Sequence, residues 1–216
     1  MPLSRRSLLA MAPTGLLAGP SARAAAPDAD PWARLMAGNA RFVSGAQLHP
    51  HEQLAWRETL LAGQHPFACV LACADSRVTP ELVFDHGLGD LFTVRAVGEV
   101  LDDAIVGSIE YAVEHLRVPL VVVLGHARCG AVQAAVDLVA GRGPVTGSVN
   151  TIARAIEATI RATPAAPDFL EACVRNQAKR VVAELAERSA IIGEAAAHRQ
   201  VDIVSAVYDL RTGRIS

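Results

Sequence analysis

The chain has 216 residues, enough to bury a substantial core within one domain. Its 20 Lys and Arg are offset by 22 Asp and Glu, giving a formal net charge of -2, and only 4% of residues are aromatic. That balance excludes the basic excess and the stacking platforms of a nucleic-acid binder. The four cysteines are too few to staple a chain of this length, so their positions matter more than their number.

The first residues read as an address. Arg5 and Arg6 precede an apolar run over residues 8–19, the size of a signal core and too short to span a bilayer. Pro13 and Gly15 interrupt it, and Ala22-Arg23-Ala24 supplies a small-x-small cleavage site. The segment resembles a twin-arginine export signal, with Leu8 where Phe is usual. The expectation is a signal over residues 1–24 followed by one catalytic domain over residues 25–216. That route carries folded proteins, so it implies a periplasmic location, metal loading before export and no membrane anchor afterwards.

Beyond the signal, apolar spacing predicts helices over residues 31–45 and 51–62. A buried strand is expected over 67–73 and a second strand over 91–95. Residues 102–117 put Ile105, Ile109, Val113 and Leu116 on one helical face, with Asp102 or Asp103 as the cap. The strongest strand signal is at 119–125, apolar on both faces as a central parallel strand must be. Helices over 130–140, 149–162 and 168–188 lead to a last strand at 202–208. This alternation implies an α/β domain with a largely parallel sheet and helices on both faces.

Two segments carry chemistry: Cys73-Ala74-Asp75-Ser76-Arg77 and Gly125-His126-Ala127-Arg128-Cys129-Gly130. Each follows a predicted buried strand, at the end where open α/β sheets bind ligands. Cys73, His126 and Cys129 make a donor set suited to one Zn²⁺ per chain, and three protein ligands leave a fourth position open for catalysis. A helix starting at Cys129 favours its thiolate. Asp75 lies two residues beyond Cys73, on the same side of an extended chain and roughly 6–7 Å away. It can reach the metal or a group bound to it, while Arg77 can hold its carboxylate in a bidentate pair. Paired, Asp75 would orient zinc-bound hydroxide; released, it would become a fourth ligand and close the site. Cys69 shares the face of Cys73 but sits about 13 Å along the strand, too far for one metal. It reads as a core thiol, as does Cys173, and a disulfide between the two is not expected. His49, His51, His65, His115 and His198 read as surface or helix-face residues, and His86 as a surface group that could relay protons.

Together, C-x-D-S-R and H-x-x-C-G resemble the signature of β-class carbonic anhydrases. The likeness extends to residues 32–45, 84–92, 107–111 and 206–210. It implies a four-stranded parallel sheet with an added edge strand. It also implies a homodimer or an assembly of dimers, with an N-terminal helical arm crossing to the partner. The implied reaction is reversible, zinc-dependent hydration of carbon dioxide to bicarbonate and a proton. Cys73, His126 and Cys129 are then the zinc ligands, Asp75 and Arg77 a catalytic dyad, and Gly98 the glycine of a substrate loop. Glu52 or Gln53 stands where many members carry a substrate-holding Gln. A pH-switched subgroup has Trp three residues before the first zinc cysteine. Val70 stands there, so no bicarbonate allostery is expected. The rivals are hydrolysis of carbon disulfide or carbonyl sulfide on the same fold, a non-catalytic zinc protein, and a cysteine hydrolase. Zinc ligation of the thiolate would prevent the last.

Overall fold

A computed structural model describes residues 30–216. The expected signal lies outside them. Strands β1 (Ala68–Ala72), β2 (Leu91–Arg95), β3 (Leu120–His126) and β4 (Asp202–Tyr208) form one parallel sheet in the order β2-β1-β3-β4. Every residue of β1 and β3 is buried, which is why both read as unbroken apolar runs. Helices occupy the connections: α1 (Pro31–Ser44), α2 (Leu54–Thr59), α3 (Pro80–Val83), α4 (Asp103–Glu110), α5 (Gly130–Val139), α6 (Val149–Ala162), α7 (Phe169–Arg188) and α8 (Ala190–Ala197).

The two sheet faces have separate cores. Cys69, Leu71, Val121 and Val123 pack with Ile109, Val181, Leu185 and Ile192 on one side. Val70, Ala72, Val122 and Leu124 pack with Leu35, Val83 and Phe84 on the other. From β1 the chain goes out to β2 on one flank and then crosses to β3 on the other. The topological switch point therefore falls between β1 and β3, the rim at which such sheets form ligand crevices.

Helix α1 begins with an Asp30 cap, whose Oδ2 accepts from the Ala33 N–H at 3.1 Å, and ends at Gly45 in the left-handed region. It packs on its own chain. Asn39 Nδ2 donates to the carbonyls of Val83 and Gly213 at 2.9 and 2.8 Å, and its Oδ1 accepts from the Ile215 N–H at 3.0 Å. Arg41 pairs with the buried Asp85, and Arg34 with Asp90 at 3.0 Å. The segment beside β4 is a short antiparallel return with one bridge, Tyr208 to Ile215.

The expected helix over 102–117 is capped by Asp102, whose Oδ1 accepts from the Ile105 N–H at 2.8 Å, but it is regular only to Glu110. A wider π turn follows over Tyr111–His115, and Arg117 is left-handed with φ 54°. The expected helix over 51–62 is a short α2 running into a 3₁₀ turn at Leu60–Ala62. Helix α8 was not expected, because Gly193 and a run of alanines hide its period. Gly193 is needed there: a Cβ would lie 2.8 Å from the Ala186 carbonyl oxygen.

Candidate metal centre

Pairing of Ala72 with Leu124 brings the ends of β1 and β3 to one rim. Cys73 follows β1 directly and His126 closes β3. Cys129 caps the N-terminus of α5, with its carbonyl accepting from the Gln133 N–H at 3.0 Å. Arg128, between His126 and Cys129, takes a left-handed φ of 55°, and its N–H donates to Glu171 Oε1 on α7 at 3.1 Å.

The Cys73 and Cys129 sulfurs and a His126 ring nitrogen all lie within 4.8 Å of one another, and all three residues are buried. His126 Nδ1 stands 3.0 Å from the Ala127 carbonyl oxygen. A carbonyl only accepts, so the proton of the neutral ring sits on Nδ1 and the lone pair on Nε2. Nε2 is buried and has no hydrogen-bond partner. An orphaned, lone-pair-bearing nitrogen beside two thiols is a poor end state for a folded core and a good one for a metal ligand. The donor set fits zinc.

Hydrogen bonding from the neighbouring Cys129 thiol, with further help from the Gly98 N–H, outweighs burial and lowers Cys73. The same bond, together with burial, pushes Cys129 up. Burial pulls His126 down, but the nearby charges of Cys73 and Asp75 raise it on balance.

Asp75 meets Arg77 as a bidentate pair. Arg77 Nε donates to Oδ1 at 2.8 Å and Nη2 to Oδ2 at 2.7 Å, while the Arg77 backbone N–H also reaches Oδ1 at 3.0 Å. The Arg77 guanidinium holds the Asp75 carboxyl well below the usual carboxylate range. The same Asp75 Oδ2 lies 3.9 Å from His126 Nε2. Arg95 secures the loop from behind, donating to the Cys73 carbonyl at 3.1 Å and the Asp75 carbonyl at 2.7 Å. Gly98, in the left-handed region at φ 68°, turns its N–H toward Cys73 Sγ at 3.4 Å.

A cavity of about 280 Å³ opens at Cys73 and Asp75. Val97, Ala131, Ala134, Val149 and Ile152 are among the residues that line the rest, so Cys73 and Asp75 face an apolar wall. That suits a small apolar substrate held against one charged group.

The other sequence candidates lie elsewhere. Cys69 and Cys173 are free, buried thiols in different core clusters, and burial pushes Cys69 up to about 12. His86 is buried rather than on the surface: it packs edge-on against Phe67 and faces Asp90 at 3.7 Å. His51 is half-buried, stacked on Trp56 and bonded to Asp90 at 2.7 Å. Glu52 is exposed beside His49 and lines a different cavity, with Glu81 and Asp85. The Arg95 clamp and the Glu171 contact have no local signal in the sequence.

A family profile described as carbonic anhydrase matches residues 68–215, more than half of the chain. The chain belongs to the β class of the carbonic anhydrase family. It is therefore an enzyme, a lyase of a zinc-using family whose reaction is carbon dioxide hydration. A carbonic anhydrase of Mycolicibacterium smegmatis is 42% identical over 196 residues, spanning 88% of this chain and 94% of that one. Carbonic anhydrase 2 of Mycobacterium tuberculosis is 43% identical over 187 residues, spanning 85% and 89%. Among solved structures, one of two β-carbonic anhydrases of Sordaria macrospora described as tetrameric superposes with a TM-score of 0.66 at 24% identity, over 86% of this chain and 94% of that chain. This last likeness is one of fold.

Proposed function

We propose that the chain catalyses the reversible hydration of carbon dioxide to bicarbonate and a proton, with Cys73, His126 and Cys129 holding zinc and Asp75 and Arg77 acting as a dyad. The observation that carries the reading is the placement of Asp75: both oxygens are engaged by Arg77, yet Oδ2 stands 3.9 Å from the orphaned His126 nitrogen.

Zinc supplies Lewis acidity that makes a coordinated water ionise near neutral pH. The chain's residues do the rest. Asp75 stays ionised because Arg77 neutralises it, so it can only accept a hydrogen bond. A carboxylate that only accepts, standing at the mouth of the apolar cavity, would orient a proton-bearing oxygen by accepting its proton in a hydrogen bond. The valine, isoleucine and alanine walls exclude water from the carbon dioxide side. Closing the site by Asp75 ligation would first require breaking both Arg77 bonds. The test is loss of ¹⁸O label from bicarbonate to water, catalysed by the parent and abolished in Cys73→Ser.

The proposal extends to assembly and location. A homodimer or assembly of dimers is supported by the tetrameric description of the Sordaria macrospora enzymes and by exposed Leu54, Leu61 and Leu88 around α2. Export to the periplasm by residues 1–24 rests on Arg5, Arg6 and the cleavage site after Ala24. Replacing both arginines by Lys should retain the precursor in the cytoplasm.

A further inference from the structure

We infer that Gln177, on α7, is a positioning residue of the metal centre, acting through the Gly98 loop on Cys73; this rests on the reading that Cys73 holds zinc. Gln177 is 3% exposed, as is Thr159 on α6. Gln177 Nε2 donates to the Gly98 carbonyl at 3.3 Å, and its Oε1 accepts from Thr159 Oγ1 at 2.6 Å. The amide orientation is forced, because the Gly98 carbonyl can only accept and must face the NH₂. The Thr159 hydroxyl must then donate to Oε1, which leaves its lone pairs for Arg180 Nη1 at 3.4 Å.

Gly98 is thus held through both of the peptide groups that flank its Cα. Its carbonyl is tied to Gln177, and its N–H points at Cys73 Sγ, at 3.4 Å. The loop has little freedom to find that pose by itself. Gly98 and Glu99 are both left-handed, at φ 68° and 52°. A Cβ at Gly98 would lie 2.8 Å from both Ala131 Cβ and Ile156 Cδ1, so the backbone is pressed directly against α5 and α6. A hydrogen bond to a thiolate orients the sulfur and spreads its charge, and partners outside the ligand set commonly govern metal affinity 10–100-fold. Gln177 sits 79 residues from the glycine it holds, and nothing in the metal motifs points to it.

A buried amide also stabilises folds, so the test must separate the two roles. Zinc affinity is measured by chelator competition on the parent, Gln177→Met, Thr159→Ser and Thr163→Val, with Tm alongside. Thr163 Oγ1 donates to the Thr159 carbonyl at 2.7 Å and accepts from Asn176 at 3.1 Å. It belongs to the same helix pair but does not touch Gly98. The expected result is that Gln177→Met and Thr163→Val both lower Tm, while only Gln177→Met loses roughly tenfold in zinc affinity, the low end of the range for outer contacts. Its Co²⁺-loaded form should show a shifted thiolate-to-metal charge-transfer band. Thr159→Ser, which keeps the hydroxyl, should match the parent. A Gln177→Met affinity within twofold of the parent and of Thr163→Val, with an unshifted band, overturns the inference. If Gln177→Met does not fold, Thr159→Ala decides: it removes the 2.6 Å bond that seats the Gln177 side chain against Gly98, and an unchanged zinc affinity overturns the inference equally. A parent that binds no zinc, or a Cys73→Ser variant that binds it as well as the parent, defeats the metal reading itself.

Discussion

Asp75 Oδ2 stands 3.9 Å from Nε2 of His126, while the Arg77 guanidinium grips both oxygens of the same carboxylate. The carboxylate therefore stands beside the donor atoms proposed to hold zinc, with both of its oxygens engaged by Arg77. Arg77→Ala releases both oxygens. It should leave one zinc per chain and reduce kcat by roughly 100-fold or more, the scale of a lost proton-handling group. Asp75→Asn should do the same while retaining zinc. Metal analysis with steady-state kinetics checks both, and normal activity in Arg77→Ala would remove the dyad from the mechanism.

Gly98→Ala should cost more than a typical surface change. The φ of 68° disfavours any side chain, and the new methyl meets Ala131 and Ile156 at 2.8 Å. A loss of about 1–3 kcal/mol follows from strain and overpacking together. The loop must also shift away from Cys73, so zinc retention during dialysis against a chelator should fall with Tm in urea and thermal melts.

Thiol labelling should sort the four cysteines into two classes. Cys73, lowered by hydrogen bonding from Cys129 and lining the cavity, should be the first to alkylate once zinc is stripped. Cys69, pushed up to about 12 by burial, should react only on unfolding, and the buried Cys173 with it. Mass spectrometry of iodoacetamide-treated protein, with and without chelator, reads this directly. Rapid labelling of Cys69 in the folded protein would contradict the core assignment.

Much of this was legible in the sequence because the decisive residues sit next to strong local signals. Cys73 follows the apolar run of β1 and His126 ends that of β3, so a parallel sheet alone brings them together. Asp75 and Arg77 are two residues apart and find each other locally. What was hidden is what long-range packing decides. Arg95 reaches carbonyls 20 and 22 residues away, and Glu171 accepts from an N–H 43 residues away. Neither leaves a periodicity or a motif. His86 looked like a surface group because polarity alone suggests exposure; the Phe67 ring and the Asp90 carboxylate make its burial tolerable.

Asp90 sets an acid limit on the fold. Burial raises its pKa, but the neighbouring His86, the Gly87 N–H and His51 outweigh this and hold it at about 2, against an ordinary 3.8. A depressed carboxyl stabilises the folded state above the unfolded value and loses that contribution as pH falls through the folded one. Asp90→Asn should therefore cost about 2 kcal/mol at neutral pH. The gap between parent and variant should narrow as pH drops from about 4 to about 2. Urea titrations across that window check it, and a gap independent of pH would assign Asp90 a purely steric role.

The most direct test of the whole account is stopped-flow carbon dioxide hydration by the zinc-loaded protein near pH 8. The account predicts rapid hydration that disappears when zinc is removed and returns when it is restored. A rate no greater than buffer background, with one zinc per chain confirmed, would contradict it.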